Sequence, residues 1–154
     1  MTGLVGYGLR VDPPPGWDAR LYRRPAPERG VTYPVLHLAN FALPPDRGDY
    51  GGGAVEAMGP GHVLVTLVEF APESAATPLF ARVGRPWPLG ADAFRTTTLQ
   101  RPLPGQAGTQ WFFQEQGRPF CLYAVLGSHA QRQRLVPRVN EALGRITVER
   151  GAAG

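Results

Sequence analysis

The last third of the chain carries two short apolar runs and then apolar positions at period 3.6. Two apolar runs, Gln110–Glu115 and Phe120–Gly127, flank Gln116-Gly117-Arg118-Pro119 and predict a hairpin. Beyond it, Leu135, Val136, Val139, Ala142 and Leu143 form one apolar helical stripe, with Arg134, Arg138, Glu141 and Arg145 on the opposite side. Ser128 is the expected N-cap. Pro137 lacks an N–H, so the regular helix either begins near Gln133 or kinks at the proline. Arg145–Glu149 reads as a short closing strand. Hairpin, helix and strand together form the closing unit of a small α+β domain.

Upstream, Gly8–Val11 starts a strand that Pro13-Pro14-Pro15 ends, and Trp17–Arg24 resumes as a second. Pro25–Gly30 is a turn-rich loop. Pro34–Leu43 alternates apolar side chains onto both faces, as a central strand does, and His62–Phe70 is dense in β-branched residues. Between them a Pro-, Asp- and Gly-rich loop leads into a brief helix at Ala54–Met58, stopped by Gly59-Pro60-Gly61. Ala93–Gln100 reads as a further strand, separated from Gln110–Glu115 by the turn at Pro104-Gly105. The expected fold is one α+β domain over residues 1–154. It has an antiparallel sheet of about six to eight strands, with the C-terminal helix packed on one face through Leu135, Val136, Val139 and Leu143.

Composition narrows this further. The 154 residues are 43% hydrophobic and 18% charged, a globular balance with a core large enough to need no metal or disulfide. All sixteen basic residues are arginine, the mark of a GC-rich genome, and the net charge is +4. A single cysteine, Cys121, excludes a disulfide framework and any multi-cysteine metal site. It lies within an apolar strand and reads as an inert, buried thiol. Leu4–Leu9 is too short and glycine-broken for a signal peptide, and the longest apolar run, His62–Phe70, is far below a membrane span. A soluble cytoplasmic protein is expected.

No catalytic motif appears. His37, His62 and His129 lack metal-pair spacing and read as core or edge histidines. Neither Ser74 nor Ser128 stands in a nucleophile elbow. The carboxylates Asp46 and Asp49, and Glu69 and Glu73, read as solvated charges. Gly48–Gly61 is the best candidate for an anion or small-ligand loop, although it lacks a phosphate-loop signature. Arg23 and Arg24 beside the second strand, with Arg134 and Arg138 on the helix, form an arginine face that offers a nucleic-acid contact. Solvated arginines are the simpler reading.

Gly8-Leu9-Arg10-Val11-Asp12-Pro13-Pro14-Pro15-Gly16-Trp17 resembles the opening of PsbP-like domains. The closing order is similar too: Gly117–Gly127 in a hairpin, a helix through Leu143, then Ile146–Val148. The resemblance covers the two ends, and Ala71–Gly108 has no counterpart. It implies an antiparallel sheet flanked by helices and a non-catalytic accessory role on a larger protein, and it carries over no active-site residue.

The function expected first is therefore a non-enzymatic binding or assembly module, with a protein partner, no cofactor, no membrane association and scope for a homo-oligomer. Tyr50, Arg85 and Trp87 are the expected anchors, since exposed Trp, Tyr and Arg dominate interfaces. Trp87, between two prolines, is either such an anchor or a lid on the core. The alternative is a ligand or enzymatic pocket under the Gly48–Gly61 loop, holding His37 or His62.

Overall fold

The computed structural model describes residues 3–23 and 33–150. Eight strands and one α-helix follow one another as β1 (Leu4–Gly6), β2 (Leu9–Val11), β3 (Asp18–Arg23), β4 (Pro34–Ala39), β5 (Val63–Glu69), β6 (Ala107–Glu115), β7 (Arg118–Leu126), α1 (Arg132–Leu143) and β8 (Ile146–Val148). The fold is α+β, as expected. The strands divide between two antiparallel sheets, one of five in the order β3-β4-β5-β7-β6 and one of three in the order β1-β2-β8.

The five-stranded sheet is apolar on both faces because both are covered. On one face, Leu36, Leu38, Val65, Leu67, Leu122 and Ala124 pack with the stripe Leu135, Val136, Val139, Ala142 and Leu143 of α1. On the other face Ala39, Leu64, Tyr123 and Val125 are covered by Leu43, Ala54 and Val55 from the glycine-rich connection. Burial on both sides explains why β4, β5 and β7 are buried at every position.

Three local expectations are corrected. Ala93–Gln100 is not a strand: after a 3₁₀ turn at Ala91–Ala93, only Arg95 pairs with a sheet residue, Gly108. Phe94 is buried there while Arg95, Thr96 and Thr97 are exposed, so the β-branched run has no surface to pack on. The Ala54–Met58 helix is a single 3₁₀ turn, Val55–Ala57. Ser128 does not cap α1. Its Oγ accepts the N–H of Gln131, and Gln131 is the capping position without a side-chain bond. Pro137 sits inside α1 on its exposed side, and the carbonyl left without a donor belongs to Gln133, also exposed.

Both two-residue hairpin turns place positive φ at their two central residues. These are Tyr7 (53°) and Gly8 (72°) between β1 and β2, and Gln116 (56°) and Gly117 (75°) between β6 and β7. Arg118, the residue after the second turn, ties the two together. All five of its N–H groups are used. Nε and one terminal nitrogen donate to the Glu69 carboxylate (2.9 and 2.6 Å), and the terminal nitrogens also donate to the carbonyls of Tyr7 (2.8 Å), Gly8 (2.8 Å) and Glu149 (3.0 Å). Arg118 is 7% and Glu69 6% exposed, so Glu69 is a buried partner and not the solvated carboxylate expected from the sequence. A Cβ on Gly8 would lie 2.6 Å from an Arg118 nitrogen, so this position requires glycine for contact as well as for φ.

Removing one partner of a buried, hydrogen-bonded ion pair strands the other. Arg118→Ala is expected to cost about 3–5 kcal/mol in urea unfolding, whereas Arg118→Met with Glu69→Leu recovers much of that loss.

Candidate functional site

Two of the three expected anchors are engaged inside the molecule. Trp87 is 8% exposed and meets Phe113 of β6 edge to face, with ring centroids 5.6 Å apart. It is thus the lid on the core and not an exposed anchor. Arg85 lies 4.8 Å over the Trp87 ring, holds both oxygens of Glu115 (3.0 and 2.7 Å) and donates to the carbonyl of Ile146. It ties the end of β6 to β8. Tyr50 is half-buried, its ring edge-on to that of Tyr123 at an interplanar angle of 74°.

The expected arginine face is only partly described. Arg24 lies outside the described residues. Arg23 is exposed at the end of β3 and stacks on the Tyr7 ring at 5.4 Å. Arg134 and Arg138 are exposed one turn apart on α1.

The Gly48–Gly61 loop closes on itself. Gly48 N–H donates to the Gly52 carbonyl, and Gly51 N–H donates to that of Gly48. The Gly53 N–H, a candidate anion donor, is taken by the Glu56 carboxylate (2.8 Å), which also pairs with Arg101. The chain's own carboxylate thus occupies this anion position. Beneath the loop, both nitrogens of the fully buried His37 are in use: Nε2 bonds the Asp49 carbonyl (2.8 Å), and Nδ1 accepts from Arg47 Nε (2.8 Å). With Arg47 donating, the ring is neutral and Nε2 carries the proton. Burial, reinforced by the Arg47 charge, lowers its pKa from 6.5 to about 4. A cavity of about 270 Å³ beside the loop is lined by Asp49, Tyr50, Val55, Gln100, Arg101 and Tyr123. Burial pushes the Cys121 thiol up to about 11, so it is inert. Among the described residues no cluster of His, Cys, Asp and Glu could hold a metal ion, and no helix is long and apolar enough to cross a membrane.

β6 forms one edge of the five-stranded sheet, and β3 forms the other. Odd-numbered residues of β6 turn their backbone groups toward β7, so even-numbered residues turn theirs outward. Two segments plug this edge. At one end Arg95 and Gly108 exchange two hydrogen bonds of 2.9 Å. At the other, Gln114 N–H donates to the Arg82 carbonyl (2.8 Å), and Gly84 N–H donates to that of Gln114 (2.7 Å). A Cβ at Gly108 would fall 2.1 Å from the Thr98 carbonyl oxygen, so only glycine lets the first plug approach.

Between the plugs, the outward N–H and C=O of Gln110 and Phe112 have no partner among the described residues, and Gln110, Trp111 and Phe112 are all partly exposed. A cleft of about 480 Å³ opens beside them, lined by Asp92, Arg95, Thr98, Thr109, Gln110 and Trp111. The Trp111 indole N–H donates to Thr109 Oγ1 (2.9 Å), and Arg82 stacks over its ring at 5.2 Å. Sequence reading found the strand but not its edge position, which depends on pairings far along the chain.

No model of a known family, no curated protein and no solved structure matches the chain.

Two outcomes follow from the buried groups. Between pH 6.5 and about 4 the unfolded chain binds a proton at His37 that the folded chain refuses, so stability falls as pH falls through that window. The loss is about 3 kcal/mol and levels off below it. Urea midpoints measured across this range will show it in the native protein and not in His37→Asn. Trp87→Ala is expected to cost about 3–5 kcal/mol by leaving a cavity against Phe113, which calorimetry will register as a lower Tm.

Proposed function

We propose that the protein is a non-enzymatic docking module, and that it holds a short extended segment of another protein against the open stretch of β6. The observation that carries this reading is the pair of backbone positions without a partner among the described residues, Gln110 and Phe112, in a strand otherwise plugged at both ends. An extended segment adds hydrogen bonds to such an edge through its main chain, and side-chain pockets beside the edge give selectivity. The Trp111 cleft is such a pocket.

The plugs also bear on what can dock. They stand six residues apart, at Gly108 and Gln114, which is roughly 20 Å of strand. A short segment fits between them. A second copy pairing its own nine-residue β6 along this edge would meet Arg95 and Gly84 where its strand has to lie. Plugged edges are a device against self-association, so a heterologous partner is favoured over a homo-oligomer joined here. The cavity by the Gly48–Gly61 loop is a poorer candidate, because Glu56 already pairs with Arg101 and both nitrogens of His37 are bonded. The accessory role implied by the PsbP-like resemblance is in keeping with docking. A cytoplasmic setting is part of the proposal, in line with the single buried Cys121.

Gln110→Pro tests the reading directly. It removes one outward N–H without touching the bonds to β7, a substitution that edge strands tolerate. The variant is expected to fold with a stability change within about 1 kcal/mol. A protein partner purified with the tagged native chain, nuclease-treated and washed at high salt, is expected to be lost with Gln110→Pro. Equal recovery of that partner with the variant would contradict docking at this edge.

A further inference from the structure

The open stretch is bracketed by two arginines, one in each plug. Arg95 lies in the plug at Gly108 and lines the cleft, and Arg82 lies in the plug at Gln114. Both are exposed, and neither takes part in an ion pair among the described residues. Neighbouring Arg85 is committed to Glu115, so it does not add to the charge available. Arg82 is not loosely solvated, because its guanidinium rests over the Trp111 ring at the middle of the open stretch. The acidic group lining the cleft is Asp92, which shares that lining with Arg95 and not with Arg82. Leu79 and Val83, on the chain that forms the Arg82 plug, are 55% and 78% exposed.

We infer that the segment docked on β6 is acidic, with a carboxylate opposite Arg82 or Arg95 and β-branched or apolar residues between. This rests on the docking reading given above. A guanidinium meets a carboxylate in a planar, two-bonded geometry, and a carboxylate replaces none of the hydrogen bonds already made at the edge. The backbone groups of Gln110 and Phe112 hold the segment extended, and the two arginines select its charge. Phosphate chemistry would satisfy the arginines equally, but a nucleic-acid backbone offers no alternating N–H and C=O groups to this edge.

The test uses the full chain, labelled for amide NMR, and two synthetic pentapeptides. One is acetyl-Asp-Val-Thr-Val-Glu-amide and the other acetyl-Asn-Val-Thr-Val-Gln-amide. The acidic peptide is expected to shift the Gln110 and Phe112 amides and to bind about fivefold tighter than its neutral counterpart at low salt. The difference is expected to vanish at high salt and in Arg82→Gln with Arg95→Gln, two surface changes that leave the fold intact. If both peptides shift those amides with equal affinity, the acidic selectivity is wrong while edge docking stands. If neither peptide moves the two amides, or the acidic one shifts only α1 around Arg134 and Arg138, docking at this edge fails and the inference falls with it.

Discussion

The guanidinium of Arg118 is the point on which the two sheets depend. It stands at the first position of β7, beside the turn that closes the β6–β7 hairpin, and its five N–H groups reach the Tyr7–Gly8 turn, the end of β5 through Glu69, and Glu149 after β8. Among the described residues the two sheets share no strand pairing. An arginine this buried requires a full set of acceptors, and both hairpin turns supply the geometry for it. The β1–β2 turn aims two successive carbonyls at one side chain, and the β6–β7 turn delivers that side chain to them. Phe120 packs beneath the guanidinium at 5.3 Å and keeps water from it.

This arrangement bears on the candidate site. With β7 fixed between β5 and β6, β6 becomes one of the two edge strands of the larger sheet, β3 being the other. Its ends are held by different means. Arg85 binds Glu115 and reaches β8, while Trp87 wedges against Phe113. Toward the other end Gly108 admits the Arg95 segment. What remains is a stretch centred on Trp111 whose backbone lacks partners, among the described residues, only along its outer side. The docking surface proposed here lies on a strand of the core sheet, where binding would cost little conformational entropy on this side of the interface.

Much of the fold was legible in the sequence because its signals are local. Alternation marked β4, a dense β-branched run marked β5, two apolar runs about a turn marked β6 and β7, and the stripe from Leu135 to Leu143 marked α1 and its buried face. Where the local signal misled, a distant residue decided the outcome. Thr96, Thr97 and Thr98 have strand propensity, but that stretch has no ladder beyond the bridge at Arg95. Arg118 looked like a turn residue and Glu69 like a solvated strand end, although they are 49 residues apart in sequence and 2.6 Å apart in space. Trp87 between prolines gave no hint of whether it points in or out, and Phe113 settles that. The site was the least legible part. Tyr50 and Arg85 carry the right chemistry for an interface, yet the open position belongs to Gln110 and Phe112, whose side chains say nothing about an unpaired backbone.

The claim on which the rest turns is that β6 is open only at its middle. Amide hydrogen exchange along Ala107–Glu115 tests it most directly. The account predicts slow exchange at Thr109, Trp111 and Phe113, which face β7, and at Gly108 and Gln114, which the plugs cover, with fast exchange at Gln110 and Phe112. Protection of Gln110 and Phe112 equal to that of their neighbours in the isolated protein would mean the edge is already covered, and the docking account would not stand.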